Sequence, residues 1–333
     1  MPRRVRRFEL FLKFAACWLL ITDLFIFSLV LLKNTPLYQQ ITTPALPKDS
    51  TPPVITLVGQ SEMRIPIKSK YEDPGVEAYD LRSDVSLTTS GVVDTTTEGD
   101  YVIKYTACDE LQNCSELERK VTVINPAGIV YLTFDDGPSE FTGNLLDILS
   151  RYHVVATFFV TGRGSDDILN REFQEGHSIG LHSFSHDYAH IYQNSEIFWD
   201  DIAKINDRVK TITGTETHLM RFPGGSSNTI SARYDRGTHI MSRLVQEAEQ
   251  RGYTYFDWNV LSGDAGETTE TDKVFENVTS ALKRDGVSIV LQHDTKDFSV
   301  NAVEKIIQFG LDNGFIFEKL TPDSFTAHHN INN

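Results

Sequence analysis

The spacing of apolar residues divides the chain into three parts. A continuous apolar run occupies residues 14–32, short β-like runs fill 54–125, and longer apolar runs alternate with amphipathic segments over 128–325. The stretch between the first two parts, 33–53, contains several prolines without apolar periodicity, which is typical of an extended linker. A short tail, 326–333, follows the third part.

The run at 14–32 has the length of a membrane-spanning helix. It contains one charged residue, Asp23, and about 20 apolar residues are enough to cross the hydrocarbon core of a bilayer. Basic residues are concentrated before the run, in 1–13, so the positive-inside rule places this segment in the cytoplasm and the rest of the chain outside the cell. We expect a retained single-pass anchor in the cell membrane, with a cleaved signal peptide as the alternative.

Residues 54–125 predict a small all-β domain. Its β-like runs are PVITLV, MRIPI, GDYVIKYTA and RKVTVIN, separated by Asp, Gly and Thr. Short strands at this spacing are typical of an antiparallel sandwich. Cys108 and Cys114 flank the sequence DELQN in this domain. Outside the cell they form either a disulfide across a hairpin turn or two free thiols.

Residues 128–325 predict an α/β domain. The intervening segments space their apolar residues by three and four, and several end in Gly, as amphipathic helices do. This alternation favours parallel strands with helical crossovers, in an α/β barrel or an open wound sheet. The seven β-rich runs that predict the strands are 129–134, 156–160, 178–182, 218–223, 254–260, 288–293 and 315–320.

Composition narrows the possible functions. The formal net charge is −15 at pH 7, which argues against a nucleic-acid-binding protein, because such proteins present a basic surface to phosphates. Three cysteines in 333 residues exclude a fold built on disulfides. Hydrophobic residues make up 40% and charged residues 23%, so the chain is neither disordered nor wholly embedded in a membrane.

Ionisable residues gather at the ends of five predicted strands. In a barrel of parallel strands, the chemistry lies at the C-terminal ends of the strands. We therefore expect an active site at this rim. The residues concerned, in chain order, are Asp135, Asp136, His182, Arg221, Asp257, Asp264, His293 and Asp294.

Two histidines and an aspartate predict a catalytic metal site. His182 and His186 are four residues apart, so both imidazoles would reach one ion from a helical turn, and the same spacing permits a pair of His186 and His190. Two His and one carboxylate, with positions left for water, suit a catalytic divalent metal. Either Asp135 or Asp136 supplies the carboxylate, and the other stays free as a base, because adjacent carboxylates at a tight Asp-Gly-Pro turn point in different directions.

These residues lie in motifs that resemble those of the polysaccharide deacetylase family, the NodB-homology enzymes of carbohydrate esterase family 4. The resemblance covers 128–325 and implies a distorted (β/α)7-type barrel that removes N-acetyl groups from a glycan with a bound metal. Residues 54–125 resemble the bacterial immunoglobulin-like repeats of surface proteins, which implies a spacer or adhesive module. The motifs of the deacetylase resemblance are TFDDGP (133–138), HSFSH (182–186), RFPGG (221–225), FDWNVLSGDA (256–265) and VLQHD (290–294).

The deacetylase resemblance implies roles in proton transfer. It makes Asp135 the general base, positioned by Arg221, and His293 the general acid, oriented by Asp264. Amide hydrolysis needs a base for the attacking water and a proton for the departing amine. A nearby Asp264 would raise the pKa of His293 so that the imidazole is protonated before the reaction.

The resemblance also implies which residues hold the metal and the substrate. The ion, usually zinc, is bound by Asp136, His182 and His186, and it activates water and polarises the carbonyl. We expect the backbone N–H of Gly224 to stabilise the oxyanion, and Trp258 and Leu291 to line a pocket for the acetyl methyl group. The residues expected to face the substrate are Pro223, Gly224, Trp258 and Leu291.

Two positions depart from the family's motifs. The third motif usually has a tyrosine after its proline, where this chain has Gly224. Glycine keeps the backbone N–H, but the wall that a tyrosine side chain would form along the groove is lost. An aromatic residue commonly follows the aspartate of the fourth motif, whereas Ala265 follows Asp264 in this chain.

The predicted architecture favours a substrate close to the membrane. An anchored enzyme with a short spacer reaches only nearby polymers, and in a bacterium the nearest N-acetylated glycan is peptidoglycan. We expect deacetylation of its N-acetylglucosamine or N-acetylmuramic acid units. The alternatives are a catalytically silent glycan-binding or adhesive protein of the cell wall, and an O-deacetylase of another surface polysaccharide.

Overall fold

The structure, a computed structural model, describes residues 49–333 of the chain. The predicted cytoplasmic segment 1–13, the predicted anchor 14–32 and most of the linker 33–53 lie outside the described residues. Within the described part, the helices are all too short or too polar to cross a membrane. The membrane anchor and its orientation therefore stay predictions.

Two small sheets precede Gly128. The strands of the first pair antiparallel; they are β1 (Val54–Leu57) and β3 (Val76–Tyr79). The second sheet has the order β2-β6-β5-β4. Its neighbours are antiparallel except β2 and β6, which run parallel, so the expectation of a purely antiparallel sandwich was wrong for this pair. Its strands are β2 (Glu62–Pro66), β4 (Ser86–Ser90), β5 (Gly99–Cys108) and β6 (Cys114–Ile124).

Cys108 and Cys114 are joined by a disulfide. They are register partners at the end of the hairpin formed by β5 and β6. The turn between them is held by the buried carboxylate of Asp109, which accepts hydrogen bonds from the backbone N–H groups of Leu111 and Asn113, both at 2.8 Å. Of the two alternatives that the sequence left open, the structure therefore contains the disulfide.

An eight-stranded parallel sheet forms the part of the chain from Gly128 onward. Its strands are β7 (Gly128–Asp135), β8 (Thr157–Val160), β9 (Ser178–Leu181), β10 (Leu219–Met220), β11 (Thr254–Tyr255), β12 (Val260–Leu261), β13 (Val287–His293) and β14 (Phe315–Glu318). The helices between them are α1 (Thr142–Arg151), α2 (Asp166–Gln174), α3 (Tyr188–Ile191), α4 (Ser195–Thr213), α5 (Ile240–Gln250), α6 (Thr271–Ala281) and α7 (Asp297–Asp312). The prediction of an α/β domain with parallel strands is confirmed.

The sheet curls into a half-barrel. Its order is β11-β10-β9-β8-β7-β13-β12, with β14 beside the start of β7. Seven flat strands about 4.8 Å apart would separate the two edge strands by about 29 Å. Only residues 256–259 join these edge strands, and a chain of this length spans about 18 Å at most. The edges must therefore approach one another.

The predicted fifth strand, 254–260, is divided into β11 and β12. The residues between them bond to three different parts of the fold. The backbone N–H of Phe256 donates to Met220, that of Asp257 to Ala327 and that of Asn259 to Ile289. This segment crosses from one edge of the sheet to the other, and the edge strands β11 and β12 do not pair with one another. The sheet is therefore an open curl and not the closed seven-unit barrel expected from the sequence.

The two faces of β7 show how the fold positions polar residues. Side chains alternate between the faces of a strand. One row packs beneath the helices and consists of Val130, Leu132 and Phe134. The other row starts with Tyr131, which packs inside the curl, and continues with Thr133 and Asp135, which contact the buried Arg221. The inner row therefore ends in a carboxylate at the C-terminal end of the strand.

Candidate active site

Strand register places Asp135 and His293 side by side. They are partners at the C-terminal ends of the parallel strands β7 and β13, and Thr133 and Leu291 are partners two residues earlier. Because side chains two residues apart share one face of a sheet, all four belong to the face inside the curl. The side chains of the predicted base and the predicted acid therefore project from neighbouring strands into the same space.

Asp136, His182 and His186 converge on one point. The Nε2 atom of His186 lies 3.1 Å from Oδ1 of Asp136, and that of His182 lies 3.5 Å from the same oxygen. One ligand atom from each of the three residues lies within 4.8 Å of the other two. Two imidazole nitrogens and a carboxylate oxygen form the donor set of a catalytic zinc site.

The hydrogen bonds of this triad fit a bound cation. Nδ1 of His182 donates to the carbonyl oxygen of Arg221 at 2.9 Å, which leaves the lone pair of Nε2 for an ion. Burial lowers the pKa of His182, so its imidazole is neutral. Oδ1 of Asp136 is buried without a hydrogen-bond partner among the described residues. Burial alone would raise the pKa of Asp136, but the neighbouring imidazoles hold it well below its ordinary value.

The two histidines meet on a loop. His182 directly follows β9, and residues 182–187 precede α3 without helical structure, so the expectation of a shared helical turn was wrong. Asp201 of α4 accepts hydrogen bonds from the N–H groups of Phe184 and Ser185 at 2.7 and 3.2 Å, which holds the loop in place. His190 is exposed on α3, so the triad contains the pair His182 and His186.

Arg221 holds Asp135 from beneath. The guanidinium is fully buried and its Nη1 donates to Oδ1 of Asp135 at 2.7 Å. Its Nε atom donates to the carbonyl oxygen of Phe256 at 2.9 Å, and it lies 4.2 Å from the ring of Phe159. A charge-assisted hydrogen bond to a fixed guanidinium holds this carboxylate in one orientation. The other oxygen, Oδ2, lies 3.7 Å from Nε2 of His182 and therefore faces the triad.

Asp264 holds the imidazole of His293 in position and raises its pKa. Its Oδ1 atom lies 2.8 Å from Nδ1 of His293, and its Oδ2 atom accepts from the N–H of His293 and the hydroxyl of Ser299, both at 2.7 Å. Burial opposes the charge on His293, but Asp264 overcomes this effect and raises the pKa of His293 to about 9. The imidazole is therefore protonated at neutral pH, with Nε2–H free to donate.

The comparisons with known proteins agree with this geometry. The family model "Polysaccharide deacetylase" matches residues 123–255, and the model "Bacterial surface protein, Ig-like domain" matches 55–123. A Bacillus subtilis protein named as a polysaccharide deacetylase, YheN, is 31% identical over 60% of this chain and 69% of its own length. The chain belongs to the polysaccharide deacetylase family.

Two further relatives of the deacetylase carry more specific names. A peptidoglycan-N-acetylglucosamine deacetylase of Bacillus cereus is 29% identical over 59% of this chain and 70% of its own length. The catalytic domain of the peptidoglycan N-acetylglucosamine deacetylase from Eubacterium rectale is 48% identical, with a TM-score of 0.59 over 62% of this chain and 94% of that domain. The resemblances stated from the motifs, to deacetylases and to immunoglobulin-like surface repeats, are confirmed.

The predicted substrate-facing residues of the deacetylase lie in the third motif, in the segment that crosses between the sheet edges, and on the inner face of β13. Gly224 has a φ of 78°, and the carbonyl oxygen of Pro223 accepts from the hydroxyl of Tyr192 at 2.7 Å. Leu291 is buried on the inner face beside Thr133. Trp258 lies with its ring 5.7 Å from the guanidinium of Arg221. Their contacts with substrate stay predictions.

Asp257, for which sequence analysis gave no role, links the third and fourth motifs of the deacetylase. Its buried carboxylate accepts from the N–H of Ser226 at 2.8 Å and from the N–H of His329 at 2.9 Å. His329 in turn donates from Nε2 to the carbonyl oxygen of Trp258 at 2.6 Å and accepts at Nδ1 from Ser227. The segment 326–333, predicted only as a tail, therefore packs against both motifs.

Asp294 links the strand of the acid to the Asp-Gly-Pro turn. Its carboxylate accepts from the hydroxyl of Thr142, and its carbonyl oxygen accepts from Ser139 at 2.6 Å. A Cβ atom on Gly137 would lie 2.2 Å from this carboxylate, so only glycine fits there. Burial raises the pKa of Asp294 to about 7. The position at the strand end suggested chemistry, but the contacts of Asp294 are with the turn.

Proposed function

We propose that this deacetylase removes the N-acetyl group from N-acetylglucosamine units of peptidoglycan with a bound divalent metal, preferably zinc. The observation that carries the proposal is the convergence of a two-histidine, one-aspartate triad with Asp135 on one side and a protonated His293 on the other. The names of the relatives from Bacillus cereus and Eubacterium rectale support this substrate.

The metal would be held by Asp136, His182 and His186. When bound, a divalent cation acidifies water and polarises a carbonyl group. The protein's own part is to keep the three donors ready. His182 presents Nε2 because the carbonyl oxygen of Arg221 accepts its Nδ1 proton, and Oδ1 of Asp136 faces the Nε2 atoms of both histidines.

Asp135 accepts the proton of the attacking water. Its Oδ1 atom is occupied by Arg221, so Oδ2 is the oxygen available toward the triad. The guanidinium fixes the orientation of the carboxylate before the reaction. Because Asp135 is buried, rigid and already oriented toward the triad, it loses little entropy at the moment of proton transfer.

His293 gives the proton that the departing amine needs. Its Nδ1 proton is held by Asp264, so the proton for transfer is the one on Nε2. The raised pKa keeps that proton in place until the carbon–nitrogen bond breaks. We place the oxyanion at the backbone N–H of Gly224, and the acetyl methyl group against Leu291 and Trp258.

The same proposal includes a location outside the cell. The apolar run at 14–32 would retain the chain in the cell membrane, and the immunoglobulin-like part would set the distance between membrane and active site. The disulfide between Cys108 and Cys114 supports this location, because disulfides persist in oxidising compartments and are rare in the cytoplasm.

The direct test is incubation of the protein, from residue 34 onward, with purified muropeptides. We expect acetate release and, by mass spectrometry, the loss of an acetyl group from N-acetylglucosamine. Loss of the acetyl group from N-acetylmuramic acid would show that the proposed sugar is wrong. Loss from a sugar hydroxyl would show that the enzyme cleaves an ester and not the proposed amide. The proposal would be contradicted if the metal-loaded protein left the muropeptides fully acetylated.

Two variants separate the roles of the adjacent aspartates. We expect Asp135→Asn to lower kcat by a factor of about 100 or more, as for loss of a general base, while the protein still retains one metal ion. Asp136→Asn should weaken metal binding by a factor of about 10 or more. Metal content and acetate release are measured for both, with the exposed Asp323→Asn as the control. If the Asp135→Asn protein were the one that lost its metal, Asp135 would be the metal ligand and Asp136 the base.

A further inference from the structure

The space beside Gly224 is filled by a tyrosine from another part of the chain. Gly224 takes the place of the tyrosine that usually follows the proline of the third motif. A Cβ atom built on Gly224 would lie 3.2 Å from the hydroxyl oxygen of Tyr188 and 3.3 Å from a carbon of its ring. The phenol of Tyr188 therefore occupies the direction in which a side chain at position 224 would begin.

Tyr188 is held between the metal triad and the third motif. It is the first residue of α3, and the side chain of Asp187 caps this short helix. Its ring meets the ring of His186 edge to face, with the centroids 5.4 Å apart, and lies 5.9 Å from the ring of Tyr192. Tyr192 is itself bonded to the carbonyl oxygen of Pro223. The phenol is thus fixed on one side by a predicted metal ligand and on the other by the third motif.

The hydroxyl of Tyr188 has no hydrogen bond within residues 49–333. The ring is half-buried, and a partly desolvated hydroxyl normally finds a partner in the protein, in water or in a ligand. The hydroxyl is therefore an O–H donor beside Gly224.

We propose that Tyr188 binds the sugar that carries the acetamido group, by donating its phenolic hydrogen to an oxygen of that sugar. This inference rests on the proposed function, because it needs a glycan in the site. The proposed position of the oxyanion is the backbone N–H of Gly224, and the phenol of Tyr188 lies beside this residue. The phenol would therefore border the next part of the substrate, the sugar ring. Tyr188 would thus restore the groove wall that the third motif lacks.

The test compares Tyr188→Phe with the wild-type protein on two substrates, tetra-N-acetylchitotetraose and 4-nitrophenyl acetate. Phenylalanine keeps the ring against His186 and removes only the hydroxyl. We expect kcat/KM for the oligosaccharide to fall about 5-fold, the loss of one hydrogen bond between uncharged groups. The loss on the ester, which contains no sugar, should be clearly smaller. The control is Tyr253→Phe, a half-buried tyrosine before β11, at the opposite end of the sheet.

A binding measurement keeps this test apart from the proposed function. Titration of the same oligosaccharide into metal-free protein involves no turnover, and we expect Kd to rise about 5-fold in Tyr188→Phe. A wild-type protein that binds the oligosaccharide but releases acetate neither from it nor from muropeptides would contradict the proposed function alone. Equal Kd values for both proteins, or equal losses on the two substrates, would overturn the inference about Tyr188.

Discussion

Asp135 and Asp136 are adjacent in sequence but have different chemistry because their neighbours differ. Asp135 ends the inner row of β7 and is bonded to the buried Arg221. Asp136 has a φ of 75°, which turns its side chain away from the strand's alternation and toward the two histidines. A single backbone rotation therefore gives one carboxylate to the guanidinium and the other to the metal triad.

The pKa of His293 predicts how the activity depends on pH. The reaction needs the protonated imidazole, and Asp264 raises its pKa to about 9. The protonated fraction is therefore nearly complete at neutral pH and falls as the pH rises through about 9. We expect the alkaline limb of a plot of kcat/KM against pH to lie near that value, measured as acetate release from N-acetylated oligosaccharides.

Asp264→Asn and Ser299→Ala test whether the pKa of His293 determines this alkaline limb. The asparagine removes the charge that raises the pKa of His293, while burial, which lowers it, remains. The limb should then move well below pH 9, with a loss of about 100-fold in kcat/KM at pH 8. Ser299→Ala keeps the carboxylate and removes one hydrogen bond to it, so its shift should be small. A limb that stays in place in Asp264→Asn would exclude His293 as the acid.

At the scale of elements, the sequence predicts the long strands well and the crossing segment poorly. The runs that became β7 and β13 are mostly apolar and end in ionisable residues, so their type and their carboxyl ends follow from pattern alone. The run at 254–260 is also rich in β-forming residues, but its backbone N–H groups bond to three distant segments. Such partners depend on the tertiary fold, which residue spacing does not reveal.

The same limit applies to the site. The motifs identify the triad and the pair of His293 and Asp264, because those residues lie within short, specific sequences. The loop carrying His182 and His186 depends on Asp201, which comes from a later helix. Tyr188, which follows the second motif, likewise lies beside Gly224 of the third motif only in the folded chain. Residues that act through tertiary neighbours give no local signal.

The segment 326–333 should stabilise the deacetylase through Asp257. This carboxylate is buried and accepts from two backbone N–H groups, those of Ser226 and His329. These donors bond to different oxygens, so Asp257→Asn keeps one acceptor oxygen and turns an NH2 group toward the other donor. We expect the free energy of unfolding to fall by about 2 kcal/mol, seen as a drop in Tm of about 4 °C. Asp323→Asn, at an exposed site, should leave Tm unchanged, and an equally unchanged Asp257→Asn protein would contradict this role.

At the scale of the whole molecule, the location of the chain determines which glycan it meets. An acidic protein with a net charge of −15 gains no attraction to an anionic wall. In the proposed function, access therefore depends on the predicted anchor and the immunoglobulin-like spacer. A cytoplasmic protein would keep Cys108 and Cys114 reduced, whereas a protein outside the membrane would keep them joined. The state of this cysteine pair in cells therefore reports the compartment.

Thiol labelling of the full-length chain measures that state. In a Cys17→Ser variant, Cys108 and Cys114 are the remaining cysteines, so any maleimide incorporation into the denatured protein reports this pair. Free thiols in the bacteria are first blocked, and the protein is then taken from the membrane fraction. We expect labelling only after a reducing agent is added. Deletion of 14–32 should move the protein to the cytoplasm and make the pair reactive without reductant, because both the anchor and the export signal are lost. A pair that is already reactive in the full-length protein would place the domain inside the cell, away from the peptidoglycan.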